Sequence, residues 1–146
     1  MLKVSTGLRN AMLDTAPLRD ALNLGFLKLY SGTEPATADA DLGAAVLLVT
    51  ISVNGAGTGL TFEPAAVSGI LSKEGDEVWQ GTVASSGTAA FFRFVAPGDT
   101  GAASTTEARL QGSVGVLGAD LNLSSVALTA SAVQTINHFN VALPTL

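Results

Sequence analysis

Hydrophobic spacing changes once along the chain, from a helical period to a strand period. From Thr6 to about Leu22 it is helical: Leu8 and Met12 stand four apart, with Leu13 one step around the same face. Ser5 or Thr6 is placed to cap this helix. Pro17 would break an interior hydrogen bond, so either the helix ends near Thr15 or a second turn starts at Pro17 and continues through Leu18 and Leu22. After Gly25 the period becomes two. In "FLKLY", Phe26, Lys28 and Tyr30 alternate with Leu27 and Leu29, which predicts a half-buried strand over about 25–31.

The rest of the chain keeps the strand pattern. Candidates are "AVLLVTISV", "GLTFE", "AVSGIL", "EVWQGTVAS", "TAAFFRFVA", "EARLQGSVG", "DLNLSS" and "VQTINHFNVAL", separated by Gly, Asn, Ser, Asp or Pro clusters. Short strands at regular spacing indicate a sandwich or barrel. "SSGT" at 85–88 has hairpin length and "PGDTG" follows the next run, so a meander through residues 77–113 is expected. In "FFRFV", Phe92 and Phe94 share one face and Phe91, Arg93 and Val95 the other, as in a strand covered on both sides. The expected fold is mainly β, an antiparallel β-sandwich with a short N-terminal helix. A single domain spans 1–146, with the helical segment at about 5–23 and the sandwich at about 25–146.

Composition removes several alternatives. Apolar residues make up 47% and charged residues 13%, too apolar for a disordered chain. The longest apolar stretch, Ala44 to Val53, is interrupted by Thr50 and Ser52 and is too short for a membrane helix. A transmembrane barrel would need aromatic girdles, and aromatics are 5%. The start, "MLKVSTGLRNAMLDT", has no continuous apolar core of a signal peptide, so export by its own signal is not expected. Without cysteine there are no disulfides or thiolate metal sites. A formal charge of −5 with scattered basic residues argues against nucleic acid as a partner. No membrane partner is expected either.

Candidate chemistry is sparse, and each feature has a simpler structural explanation. His138 is the sole histidine, so neither an imidazole zinc site nor a catalytic triad is built around it, and it is read as an ordinary residue on a late strand. Asp39 and Asp41 lack the remaining ligands of a calcium loop. Glu74, Asp76 and Glu77 read as a charged hairpin tip, and "GAGTG" at 55–59 as a turn without the Lys-Ser/Thr of a phosphate loop. Trp79 and Tyr30 could stack on a sugar ring but are better explained by packing. No nucleophile, base and oxyanion donor can be assembled, so no catalytic residue, cofactor or metal is assigned and no enzyme is expected.

Four stretches, "LRNAMLD" at 8–14, "LKLYSGTEPATADADLGAAVLLVTIS" at 27–52, "GTAAFFRFV" at 87–95 and "GSVGVLGADLNLSS" at 112–125, together resemble small virion structural proteins of tailed bacteriophages. Within that resemblance the long acidic stretch after Tyr30 looks like a joint between strands rather than a ligand site. The resemblance implies a capsid cement, or decoration, protein with a jelly-roll-like sandwich. Its partners would be the major capsid protein and itself, as a dimer or trimer, on the outer surface of the head. The implied contacts are the two ends: Leu8, Met12 and Leu13 on the helix, and Phe139, Val141, Leu143 and Leu146 in the tail. Both ends serve equally well to close the chain's own sandwich. The alternative is a tail or receptor-binding virion component whose aromatics, such as Trp79, contact host glycans. A cell-wall hydrolase using His138 or the Glu74–Glu77 cluster is the remaining class.

Overall fold

In the computed structural model, which describes residues 1–142, strand alternation sets the architecture. The order is β1 (Lys3–Val4), α1 (Thr6–Asp14), α2 (Leu18–Ala21), β2 (Phe26–Ser31), β3 (Val46–Val53), β4 (Ile70–Ser72) and β5 (Trp79–Thr82). Then come β6 (Gly87–Thr88), β7 (Phe91–Val95), β8 (Arg109–Gly115), β9 (Leu121–Asn122), β10 (Ala127–Leu128), β11 (Val133–Ile136) and β12 (Asn140–Ala142). An eight-stranded sheet follows the path β1-β8-β7-β2-β3-β5-β11, with β9 added alongside β8. Two ribbons, β10–β6 and β12–β4, complete the strands. Every pairing is antiparallel except β8 with β9. The expected mainly β, antiparallel class with a short N-terminal helix is therefore observed, although this strand path does not by itself make a jelly roll.

One face of the sheet is the hydrophobic core. Leu27 lies opposite Phe94 and Ile51, Leu29 opposite Phe92 and Val49, and Phe94 opposite Leu110, so the inward positions of four strands meet side by side. All are buried. Over them packs an aromatic group: Phe62 meets Phe94 at 5.3 Å between ring centroids, and Trp79 meets Phe139 at 5.7 Å. Rings in tilted or edge contact at these separations add to the area they bury. A register shift between Leu29 and Tyr30 leaves Leu48 unopposed on β3, and Leu48 and Val49 are both buried.

The helix starts as its sequence indicates. Ser5 caps α1, its Oγ accepting from Leu8 N at 3.1 Å. α1 ends at Asp14 with Thr15 as its C-cap, and Pro17 stands just ahead of α2, so both alternatives are realised: the helix stops near Thr15 and a second turn starts after Pro17.

Four strand expectations are corrected. The meander through 77–113 is only half present. β7 and β8 are antiparallel neighbours, but β5 pairs with β3 and β11, and both β2 and β3 lie between it and β7. The "SSGT" segment closes no hairpin: Ala84 N donates to Leu48 O, and β6 pairs with distant β10. "GLTFE" forms isolated bridges, Leu60 with Gly25 and Phe62 with Lys73, because it serves the core through buried Leu60 and Phe62 rather than through a ladder. "VQTINHFNVAL" is broken between β11 and β12, so exposed His138 sits on the connection and not on a strand.

Candidate functional site

The second face of the sheet carries the unexpected chemistry. Because register aligns residues across strands, Lys28, Arg93, Gln111 and Lys3 form one transverse row, each opposite the next. In a one-sided sheet this row would face water. Instead, all five residues of β7 are buried, as "FFRFV" predicted. Residues 32–45, the long connection after β2, and residues 96–108, between β7 and β8, lie over the row and supply acceptors to it.

Arg93 donates from Nε and Nη2 to Gln111 Oε1 (3.0 and 2.6 Å) and from Nη2 to Ala40 O at 3.1 Å. Gln111 Nε2 in turn donates to Pro35 O at 2.9 Å and Glu34 Oε1 at 3.2 Å. Lys3 pairs with the same Glu34 oxygen at 2.8 Å. Arg109 holds Asp99 and also donates to Ala38 O and Ala102 O, one carbonyl from each covering segment. Asp39 binds Thr6 at N and Oγ1 (2.8 and 2.7 Å), which ties the first connection to the start of α1. Ser104 N donates to Asp39 O at 2.8 Å and joins the two segments.

The electrostatics follow from this enclosure. Burial pushes the Asp99 carboxyl up, but Arg109 and the Gly101 N–H outweigh it and hold the group below the usual carboxylate range. Asp39 is lowered in the same way: burial acts against ionisation, and the Thr6 hydrogen bonds with Arg9 and Arg109 override it. Burial, reinforced by the neighbouring charge of Arg109, lowers the pKa of Arg93. Tyr30, stacked on Phe91 at 5.1 Å, is pushed up to about 12 chiefly by burial. The connection after Tyr30 is thus a joint, as the resemblance implies, and Asp39 serves it as an internal clamp.

The residues named as contacts divide sharply. Leu8 is wholly buried, and Phe139 and Val141 are 5% exposed, so all three close the chain's own core and are corrected as contact candidates. Leu8 faces inward because its helix packs by Gly7 directly on the backbone of Thr106 and Glu107. Met12 and Leu13, on the outer side of α1, are 36% and 85% exposed. Leu143 and Leu146 lie outside the described residues. Further exposed apolar side chains are Leu117 at 89%, Val67 at 70% and Ile70 at 40%.

Other sequence candidates take structural roles. Trp79 is fully buried, its Nε1 donating to Glu77 Oε2 at 2.8 Å, and Glu77 also receives Thr61 N and Oγ1. The "KEGDE" turn is accordingly pinned from within. "GAGTG" is a turn in which Gly55 and Gly57, like Asn54 just before them, adopt positive φ. Among the described residues no group of three His, Cys, Asp or Glu side chains is disposed to hold a metal, and no helix is long and apolar enough to cross a membrane.

The buried Arg93, Arg109, Asp99 and Gln111 cluster was missed at the sequence level. Its signal was the arginine inside an otherwise aromatic run and the Arg109–Gln111 alternation opposite it. Comparison with known proteins adds no relative to this arrangement: no family model matches the chain, and neither a curated protein nor a solved structure does.

Proposed function

We propose that this chain is a bacteriophage capsid cement, or decoration, protein that binds the outer surface of the head across capsomer joints. It acts there as a dimer or trimer and stabilises the shell without catalysis, through contacts to the major capsid protein multiplied over many copies. The observation that carries the reading is the exposure of Met12 and Leu13 on a helix whose opposite side is fixed to the body by Ser5, Gly7 and Leu8. A rigidly held apolar surface loses little conformational entropy when a partner covers it. The resemblance of "LRNAMLD" to phage virion proteins falls on this same helix. The glycan-binding alternative loses its named aromatics, since Trp79 and Tyr30 are both buried.

The test is incubation of purified protein with expanded capsids that lack it, followed by sedimentation and particle imaging. Cosedimentation with ordered density across capsomer joints is expected, and Leu13→Glu should lose it while folding normally. Absence of binding, or density confined to tails, would overturn the reading.

A further inference from the structure

We infer that the free edge of β11 is the docking surface for a second copy of this chain, whose own β11 pairs with it antiparallel about a twofold axis through Gln134. The inference gives the self-association in the reading above its surface, and it rests on that reading for its use on the shell.

β11 ends the strand path of the large sheet and is paired on one side, by β5. Val83 N donates to Ala132 O, which places Ala132 on the β5 side; antiparallel alternation then turns Gln134 towards β5 and Val133 and Thr135 away from it. The outward N–H and C=O groups of these two residues meet no strand among the described residues. Thr135 O is taken by its neighbour's side chain, Gln134 Nε2, at 2.9 Å. A groove of about 170 Å³ lies between residues 134–138 and residues 122–124, so that segment stands off from the edge.

Sheets that stay single guard such edges with charge, proline or very short strands. The opposite edge is guarded in this way. It is divided between β1 and β9, two residues each, with Lys3 paired to Glu34 and the Met1 amine paired to Asp120. β11 has none of these devices: its four residues are VQTI, with Val133 62% exposed and Thr135 exposed as well. The lack of charge extends beyond the strand. Residues 121–142 hold no Asp, Glu, Lys or Arg, although Asn122, Ser124, Thr129 and Asn140 among them are also exposed. Depletion of charge marks the core of an interface, where a desolvated ion would lack a partner.

The occupant follows from the chemistry of the edge. Outward N–H and C=O groups at every second residue of an extended strand are matched by another strand, and an edge without charge does not repel its own copy. With the axis at Gln134, Val133 stands opposite Thr135 of the second copy, and Thr135 opposite its Val133. All of these residues face outward, so each opposed pair exchanges both its N–H···O bonds. The contact is self-complementary and closes at two copies.

The experiment is the solution mass of the full chain, measured by sedimentation over a range of concentrations without capsids. Twice the chain mass of 14.7 kDa is expected. Thr135→Pro removes an outward N–H and leaves the β5 ladder intact, so it should halve the mass. Should that variant fail to fold, Val133→Lys places a charge on the exposed side of the edge and should do the same. Because the chain has no cysteine, Gln134→Cys should give a disulfide-linked dimer on oxidation, whereas Asn10→Cys should not. A monomer or a trimer of the unaltered chain, a dimer retained in the edge variant, or no crosslink at Gln134 would each overturn the inference. So would a monomer whose β11 amides gain exchange protection only on capsids, which would assign the edge to a strand of the shell. A stable dimer that binds no capsid would support the inference and overturn the capsid reading; a monomer that binds capsids would do the reverse.

Discussion

Arg109 and Asp99 face each other as a two-point pair, Nε to Oδ2 at 2.5 Å and Nη2 to Oδ1 at 2.8 Å, with side chains 1% and 0% exposed. The pair anchors the loop that precedes β8 to the outer face of the sheet, and Arg109 then reaches both covering segments. Removing one partner leaves the other charge buried and alone. Asp99→Ala should cost about 3–5 kcal/mol in denaturant unfolding. By contrast, Asp20→Ala breaks the exposed Arg19–Asp20 pair and should change stability by no more than about 0.5 kcal/mol.

Acid should unfold the protein through the same carboxylates. Asp99, Asp39 and Asp120 all have folded pKa values below their ordinary ones. A depressed folded pKa contributes stability that is fully present above the unfolded value, about 3.9, and is lost as pH falls through the folded value. Stability measured against pH should therefore be level near neutrality and drop below about pH 4. In Asp99→Asn the drop should be shallower, since one of the linked protons is gone.

Alkali tests the other buried titratable group. Tyr30 is the chain's one tyrosine, so tyrosinate absorbance reports it without ambiguity. Burial raises its folded pKa to about 12, which means the folded state resists ionisation. The stability linked to neutral Tyr30 is present below the unfolded pKa of about 10 and is lost as pH rises from there through the folded value. Absorbance should stay flat through pH 10 and rise near 12 or on unfolding. Ordinary titration near 10 with the fold intact would contradict the burial of this ring.

Helix α1 is held by contact of backbone on backbone. A Cβ at Gly7 would overlap the carbonyl of Thr106, which has no side-chain freedom with which to yield. Gly7→Ala should destabilise by roughly 1–3 kcal/mol despite alanine's better helix propensity. Asn10→Ala, at an exposed position of the same helix, should be neutral or slightly stabilising, and comparison of the two midpoints isolates the close approach.

Local pattern made much of this protein legible. Ser5 as cap, the break at Pro17, the strand at Phe26 and the double coverage of Phe91–Val95 all depend on neighbours within a few residues, where steric and hydrogen-bond rules act directly. Expectations failed where the answer lay far along the chain. Trp79 and Phe91 read as neighbouring strands of one meander, yet two earlier strands separate them in the sheet, because pairing follows the burial of whole faces and not sequence distance.

By itself, then, the sequence determined the β class and the capped helix, each a matter of local period and backbone preference. Tertiary structure alone decided that Leu8, Phe139 and Val141 belong to the core while Leu13 stays in solvent, since an amphipathic pattern does not say which partner will cover it. It also decided that Lys3, Lys28, Arg93 and Gln111, scattered over more than a hundred residues, share one row beneath two loops. Charges that look solvated one by one along the chain become a mutually dependent set, with Arg93 and Gln111 buried and Lys3 and Lys28 partly covered, only when strand register brings them together.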